Sequence, residues 1–218
     1  MHHDLRVLDD AAATAAAGAV LLASTAADAV AQRGRCDLAV SGGTTPAAMF
    51  TRLATLAVPW DRVTIYQVDE RVAPAGDPAR NLTTLETCLA DLPVRIEAMP
   101  VGDDDLDAAA TAYAARLPAR FDAVHLGIGA DGHTASLVPG DPVLEVDDRL
   151  VAVTEPYQAH RRMTLTYPAL SRADLLVWLV AGAEKRHALA QLLSGDTSIP
   201  AGRVTAARSV VLADAAAA

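Results

Sequence analysis

The sequence predicts an α/β fold in which a mostly parallel sheet carries helices on both faces. Apolar runs of strand length alternate along the chain with longer segments that have helical spacing. Polar, glycine-rich turns follow several of these runs, and ligands of such folds bind beyond the carboxyl ends of the strands. Aromatic residues make up only 4% of a chain that is 52% hydrophobic, so aliphatic side chains and alanine must fill the layers.

The first helix is predicted over residues 9–33, where alanine, leucine and valine continue without proline until Gly34. The turn at 130–137 is expected to lead into a further helix. No linker or long repeat interrupts the chain, which predicts a single domain over residues 1–218. The remaining segments have the pattern of strands, at 37–41, 63–69, 121–129, 150–155, 162–167, 174–180 and 209–213, or of helices, at 47–56, 81–92, 105–117 and 183–193.

The charge of the chain limits its function. A net charge of −9 disfavours binding to nucleic acids and to anionic membranes, because both depend on basic patches. The N-terminus has no secretory signature, and no apolar run approaches the roughly 18 residues of a membrane span. We therefore expect a cytoplasmic protein, a monomer or weak homo-oligomer, in which a few arginines and lysines hold any anionic substrate.

A glycine-rich turn follows the predicted strand at 37–41. Its glycines let the backbone approach a ligand, its hydroxyl groups can donate hydrogen bonds, and the N–H groups of the next helix point the same way. These are the requirements of a phosphate site, although a tight turn between strand and helix explains the string equally well. The residues are Ser41, Gly42, Gly43, Thr44 and Thr45.

Three adjacent charges, Asp69, Glu70 and Arg71, stand at the end of the strand at 63–69. Charges in this position do not belong to a core. Either they form a solvated loop, or the carboxylates orient a sugar while the guanidinium group binds an anion.

The string GIGADGHTASL places Asp131 and His133 after the predicted strand at 121–129. Histidine titrates near neutrality, so a reachable imidazole can act as a general base. The alternative is that Asp131 caps the next helix and His133 is a surface residue. The glycines also match GxGxxG, but their late position, the histidine after the third glycine and the lack of an acidic strand end about 20 residues on argue against dinucleotide binding.

Further cations lie at the ends of predicted elements. Arg161 and Arg162 lie at the start of the alternating segment at 162–167, Arg161 just before it, and Lys185 follows the strand at 174–180. Each alone is typical of an exposed charge, but together with the glycine-rich turn they can form an anion site. The sequence has neither HExxH nor clustered His and Cys at ligand spacing, so no metal is predicted.

These motifs occur in one order: SGGTTP, VDERVAP followed by Asn81, LGIGADGHTASLVPG, RMTLTYPAL and GAEKRHAL. Over residues 10–212 the chain thereby resembles the 6-phosphogluconolactonase family. The resemblance implies the modified Rossmann-like fold of the wider glucosamine-6-phosphate isomerase group, a sugar-phosphate lactone as substrate, and no cofactor. The family commonly has Ser-Asn where this chain has Arg80 and Asn81. Arg80 either adds a cation near the phosphate or is a solvated loop residue.

Lactone hydrolysis needs a water, a base that takes its proton, and donors for the developing oxyanion. The resemblance implies His133 as the base, with Asp131 orienting its imidazole and Arg71 anchoring phosphate or stabilising charge. The expected contacts to substrate and phosphate are Ser41, Gly42, Gly43, Thr44, Thr45, Asp69, Glu70, Arg71, Arg162 and Lys185.

Two other functions compete with this prediction. Hexosamine-6-phosphate isomerase/deaminases share the fold, the phosphate loop and the DGH turn that the resemblance implies. They have a glutamate five residues after the histidine, where this chain has Val138, and they tend to have an aromatic residue where this chain has Arg71. A non-catalytic sensor of sugar phosphates would use the same loops without turnover. The presence of both Asp131 and His133 argues against a pure sensor, which has no need of a base.

Overall fold

The computed structural model describes residues 2–218, which form two β-sheets and six α-helices. The strands are β1 (Asp4–Leu8), β2 (Cys36–Val40), β3 (Val63–Gln67), β4 (Asp69–Arg71), β5 (Arg95–Glu97), β6 (Ala123–Leu126), β7 (Val151–Val153), β8 (Arg162–Leu165), β9 (Leu175–Val180) and β10 (Arg208–Asp214). The helices are α1 (Ala11–Arg33), α2 (Thr44–Leu53), α3 (Asn81–Leu89), α4 (Leu106–Ala114), α5 (Tyr167–Leu170) and α6 (Arg186–Ser194).

The larger sheet has seven strands in the order β1-β10-β9-β6-β2-β3-β5, and every neighbouring pair is parallel. From β2 the chain moves outwards to β3 and β5, and it then returns to place β6 on the other side of β2. The strand order therefore reverses between β2 and β6, where an open α/β sheet leaves a crevice at its carboxyl edge.

Helices cover both faces of this sheet, which confirms the predicted fold class. Buried side chains of α1, α2 and α3 form one apolar layer with the sheet. The opposite layer contains buried residues of α4, α5 and α6 together with the smaller sheet. Aliphatic and alanine side chains make up most of both layers, as the low aromatic content predicts.

The smaller sheet is antiparallel, with the order β4-β8-β7. Val68 connects the two sheets, because its N–H bonds the carbonyl of Val40 in the large sheet and its own carbonyl accepts from Leu165 in the small one. The strand predicted over 63–69 is therefore two strands. The strands predicted at 150–155 and 162–167 form the rest of this second sheet rather than extending the first.

Helix α1 begins and ends as its sequence predicts. The Asp10 carboxylate accepts from the N–H of Ala13 at 2.8 Å, and Gly34 ends the helix with a φ of 76°. By length and composition α1 could also cross a membrane, so the expectation that no apolar segment is long enough was wrong. The physical reason is its long run of alanine, leucine and valine, one face of which packs against β9 and β10.

No helix follows the turn at 130–137, so the helix predicted there was wrong. Gly132 and Ala135 have φ values of 81° and 52°, and left-handed backbone at two positions within four residues cannot continue an α-helix. Thr134 and Leu137 pair through their backbones instead. Strands β1 and β5, at the two edges of the large sheet, were also not predicted.

His125 on β6 is completely buried, and neither ring nitrogen has a hydrogen-bond partner anywhere in residues 2–218. The ring of Phe50 lies edge-on to it, with centroids 6.2 Å apart. Burial lowers the pKa of His125 to about 3. The folded protein thus keeps this imidazole neutral in mild acid, whereas the unfolded chain protonates it below about pH 6.5.

We expect His125 to reduce stability as pH falls from about 6.5 towards 3, by up to roughly 1.4 kcal/mol per pH unit. The change His125→Leu should therefore make the free energy of unfolding less dependent on pH over this range. Denaturant unfolding at several pH values measures it, with exposed His187→Leu as the control. Parallel curves for wild type and His125→Leu would contradict the assignment.

Candidate active site

A cavity of about 350 Å³ opens at the carboxyl ends of β2, β6 and β9, where the strand order reverses. It brings together most of the residues predicted from the sequence: Ser41, Gly42, Gly43, Thr44, Thr45, Asp69, Arg71, His133, Arg162 and Lys185. Asp131 lies directly behind His133, and Glu70 lies outside the lining. Arg161 is exposed, and neither it nor Arg80 lines this cavity.

The glycine-rich turn forms one wall of the cavity. Gly43 has a φ of 129° and directly precedes α2, so the first-turn N–H groups of that helix, which have no partner within it, lie at the cavity wall. Ser41 is buried, and its hydroxyl has no partner among the residues described. An unsatisfied buried hydroxyl beside a helix N-terminus is suited to an anionic ligand.

Asn81 connects this turn to the charged strand β4. A Cβ atom at Gly42 would overlap the amide of Asn81, so only glycine permits the approach. The Asn81 amide nitrogen donates to the backbone carbonyl of Asp69 at 2.9 Å, and its oxygen accepts from Nη1 of Arg71 at 3.0 Å. Asn81 was noted only as part of the family pattern, and its contacts show that it orients two residues of the cavity.

Two arginines face each other across the small sheet. Arg71 and Arg162 are direct cross-strand partners of β4 and β8, an arrangement that is unfavourable for like charges unless a counter-charge is near. Asp69 lies two residues earlier on the same face and accepts from the Ser136 hydroxyl at 2.6 Å. Burial raises the pKa of Asp69, although Ser136 and the two arginines oppose this shift.

The guanidinium groups retain capacity for a ligand. Nε of Arg71 and Nε of Arg162 are buried, and no side chain or backbone group in the described part of the chain accepts from them. Burial is the main cause that lowers the pKa of Arg162, with Arg71 adding to it and Asp69 opposing it. An arginine nevertheless stays charged in water, so an anion that enters the cavity meets two guanidinium groups.

Glu70 has a structural role in place of the predicted substrate contact. Its side chain is completely buried and accepts from the backbone N–H groups of Asn81 and Leu82 at 2.8 and 2.9 Å, at the start of α3. It also pairs with buried Arg80, Nε to Oε2 at 3.3 Å. A carboxylate with this many donors holds α3 against β4 and has no oxygen to offer a substrate.

His133 and Asp131 form the titratable pair of the site. Asp131 Oδ1 lies 2.6 Å from Nδ1 of His133 and 3.2 Å from its backbone nitrogen. Burial raises the pKa of Asp131, but the hydrogen bonds and charge of His133 outweigh it, so the pKa lies below its ordinary value. The ionised carboxylate accepts from Nδ1, which leaves Nε2 of the imidazole free to accept a proton.

Gly129 makes this pair possible. A Cβ atom there would overlap the imidazole Nδ1 of His133, whereas a Cβ at Gly127 would meet nothing nearer than the Leu179 carbonyl at 4.0 Å. The backbone N–H of Gly129 also donates to the His133 carbonyl at 2.8 Å. Of the glycines in GIGADG, Gly129 is thus tied directly to the orientation of His133.

Lys185 and Glu184 close the cavity beyond β9. None of the ion pairs among the described residues includes the Lys185 ammonium. Tyr157 was not predicted from the sequence. Its hydroxyl nevertheless lies 3.3 Å from Oδ2 of Asp131. No local signal marks it, because the contact depends on the β7–β8 hairpin folding back over residue 131.

Residues 9–213 match the sequence model of a protein family, glucosamine-6-phosphate isomerases/6-phosphogluconolactonase. The chain belongs to this family. Among similar family members, a 6-phosphogluconolactonase of Synechocystis sp. is 37% identical over 185 residues, which are 77% of this chain and 75% of the relative. A 6-phosphogluconolactonase of Caulobacter vibrioides is 39% identical over 205 residues, 87% of this chain and 83% of the relative.

Solved structures of the glucosamine-6-phosphate isomerase/6-phosphogluconolactonase family have the same fold. A 6-phosphogluconolactonase from Shewanella baltica superposes with a TM-score of 0.86 at 28% identity, and the match covers 98% of both chains. A monomeric glucosamine-6-phosphate deaminase also gives a TM-score of 0.86, but its 18% identity shows only that the fold is shared.

We expect Gly129→Ala to reduce turnover by at least tenfold, because the new methyl group must displace the imidazole of His133, which is predicted to act as the general base. Gly127→Ala is the matched control in the same string and should retain activity. Steady-state kinetics of both variants, with thermal melts to verify folding, provide the measurement. Equal activity of the two would contradict the role given to Gly129.

Proposed function

We propose that this chain hydrolyses 6-phospho-D-glucono-1,5-lactone to 6-phospho-D-gluconate in the oxidative pentose phosphate pathway. The observation that carries the proposal is His133, held by Asp131 at 2.6 Å, in one cavity with two guanidinium groups and a free ammonium group. Relatives that cover most of the chain are named 6-phosphogluconolactonases. The cavity therefore combines a base with cations for a phosphorylated substrate.

The reaction uses His133 as general base. Nε2 removes a proton from water as the water oxygen attacks the lactone carbonyl carbon, and the carbonyl oxygen becomes an oxyanion. When this tetrahedral intermediate collapses, the bond between the carbonyl carbon and the ring oxygen breaks. The imidazolium returns its proton to the departing ring oxygen, so the base is regenerated and one water is consumed.

The cations are assigned to different parts of the substrate. Arg71 lies beside the glycine-rich turn through Asn81, so we assign it with Lys185 and the N-terminus of α2 to the phosphate. Arg162 stacks on Tyr157, which contacts His133, and we assign it to the substrate oxygens nearest the base. Asp69 keeps the two arginines together and can accept from a sugar hydroxyl.

The isomerase/deaminase alternative lacks a required group. Position 138 holds a buried valine outside the cavity lining, so no carboxylate stands there to help open a sugar ring. We further propose that the chain acts as one domain, in the cytoplasm, as a monomer or weak homo-oligomer.

The test of the proposed function is turnover. Freshly prepared 6-phosphogluconolactone should disappear faster with the protein than by spontaneous hydrolysis. His133→Ala should lose about 10² to 10⁴ of this acceleration, the usual contribution of a general base. His133→Ala should still bind 6-phosphogluconate, which is measured as a rise in the melting temperature of the variant when the ligand is added. Binding without any turnover by the wild type would favour the sensor function instead.

We expect Lys185→Met to raise the KM for the phosphorylated lactone by about 10- to 100-fold, which corresponds to the loss of one charge-assisted hydrogen bond. The slower hydrolysis of unphosphorylated gluconolactone should change little, because that substrate has no phosphate to lose. Arg186→Met removes the same charge one residue further on, outside the cavity lining, and serves as control. Equal KM increases for both lactones would contradict phosphate binding by Lys185.

A further inference from the structure

The hairpin between β7 and β8 ends in a turn that fixes the position of Tyr157. Tyr157 and His160 pair through their backbones, with the Tyr157 N–H donating to the His160 carbonyl at 2.9 Å. The two residues between them, Gln158 and Ala159, have φ values of 48° and 69°. Two left-handed residues in a two-residue turn match the twist of the flanking strands. The turn is thus a short, constrained hairpin tip rather than a loose loop.

The Tyr157 side chain lies between the base and one of the arginines. Its ring is edge-on to the imidazole of His133, with centroids 5.7 Å apart, and the Arg162 guanidinium carbon lies 5.0 Å from the ring centroid. Its hydroxyl lies 3.3 Å from Asp131 Oδ2 and 3.3 Å from Nε2 of Gln158. Nη2 of Arg162 donates to Oε1 of Gln158 at 3.4 Å.

We propose that Tyr157 and Gln158 are positioning residues that connect Arg162 to the general base through one continuous chain of hydrogen bonds. The inference rests on the proposed function, because it assigns His133 as the base and Arg162 as a substrate contact. It adds that the hairpin tip sets the orientation of that base and supplies a hydrogen bond to the carboxylate that holds it.

Only one direction of donation fits the chain. Arg162 can only donate, so Gln158 accepts through Oε1 and donates through Nε2 to the Tyr157 oxygen. The ionised carboxylate of Asp131 can only accept, so the Tyr157 hydroxyl donates to Oδ2 while Nδ1–H of His133 donates to Oδ1. The direction of every bond in the chain is thereby set, and the sole acceptor left on the imidazole is Nε2.

The arrangement has an electrostatic consequence. The Tyr157 hydroxyl donates to Oδ2 of Asp131 and so takes up part of the negative charge that faces the imidazole of His133. A substrate oxygen that binds Arg162 is therefore connected to the base through the same series of hydrogen bonds. The other charged groups that line the cavity together with His133 are Asp69 and Arg71 on β4, and Glu184 and Lys185 after β9.

The test is Tyr157→Phe, which removes the hydroxyl and keeps the ring over Arg162. We expect kcat to fall about three- to tenfold, the contribution of one hydrogen bond, with KM and 6-phosphogluconate affinity within twofold of wild type. The acidic limb of the pH–rate profile should move to higher pH, because Asp131 then holds the imidazolium proton more strongly. Tyr157→Ala also removes the ring and should weaken product binding.

Tyr167→Phe is the matched control. Tyr167 likewise donates to an oxygen at 3.3 Å, the Pro200 carbonyl, and has Arg203 over its ring at 4.8 Å, but it lies outside the cavity lining. Its kinetics and pH profile should equal those of the wild type. A Tyr157→Phe enzyme with unchanged kcat and an unchanged acidic limb would overturn the proposal.

A measurement independent of turnover separates this inference from the proposed function. NMR titration of the His133 ring in wild type and Tyr157→Phe should show proton loss at higher pH in the variant. Coincident titrations would refute the hydrogen-bond chain, whatever the activity. If Tyr157→Phe does not fold, Gln158→Ala at the exposed tip removes the preceding link and should shift the titration in the same direction, and no shift would again refute it.

Discussion

The reversal of strand order between β2 and β6 is the constraint on which the site depends. Connections that leave parallel strands in opposite directions cannot cover the space between them. The turn after β2 therefore supplies helix N–H groups and a buried hydroxyl on one side, and the turn after β6 supplies His133 on the other. The proposed anion site and the proposed base face each other because of the topology.

The small antiparallel sheet adds what the crevice lacks, which is positive charge. Because Val68 bonds both sheets, β4 leaves the large sheet directly at its carboxyl edge, and its pairing with β8 sets Arg71 opposite Arg162. Two facing guanidinium groups repel each other unless other groups hold them. Asp69 balances part of their charge, and buried Glu70 fixes the start of α3 so that Asn81 can bind Arg71.

Local sequence patterns predict the parts of the site that follow strand ends, and fail where distant segments meet. Glycines and polar residues after β2 and β6 mark the turn at Ser41 and the proposed base His133 within a few residues. Glu70 cannot be distinguished from Asp69 by pattern, because only the fold shows which carboxylate points to α3. Other parts of the site join residues far apart in sequence, namely Arg71 with Arg162 and Tyr157 with Asp131. The left-handed backbone at Ala135, which prevents the predicted helix, was missed because the residue there is not a glycine.

An acidic protein that binds a phosphate must do so through local charge. The net charge of −9 repels an anion at a distance, but salt screens such fields within about 10 Å. Inside the cavity three cations meet two carboxylates, so positive charge is in excess where screening is weakest. In the proposed function, affinity for a phosphorylated lactone thus depends on the few charged groups that strand pairing places in the crevice rather than on the net charge of the molecule.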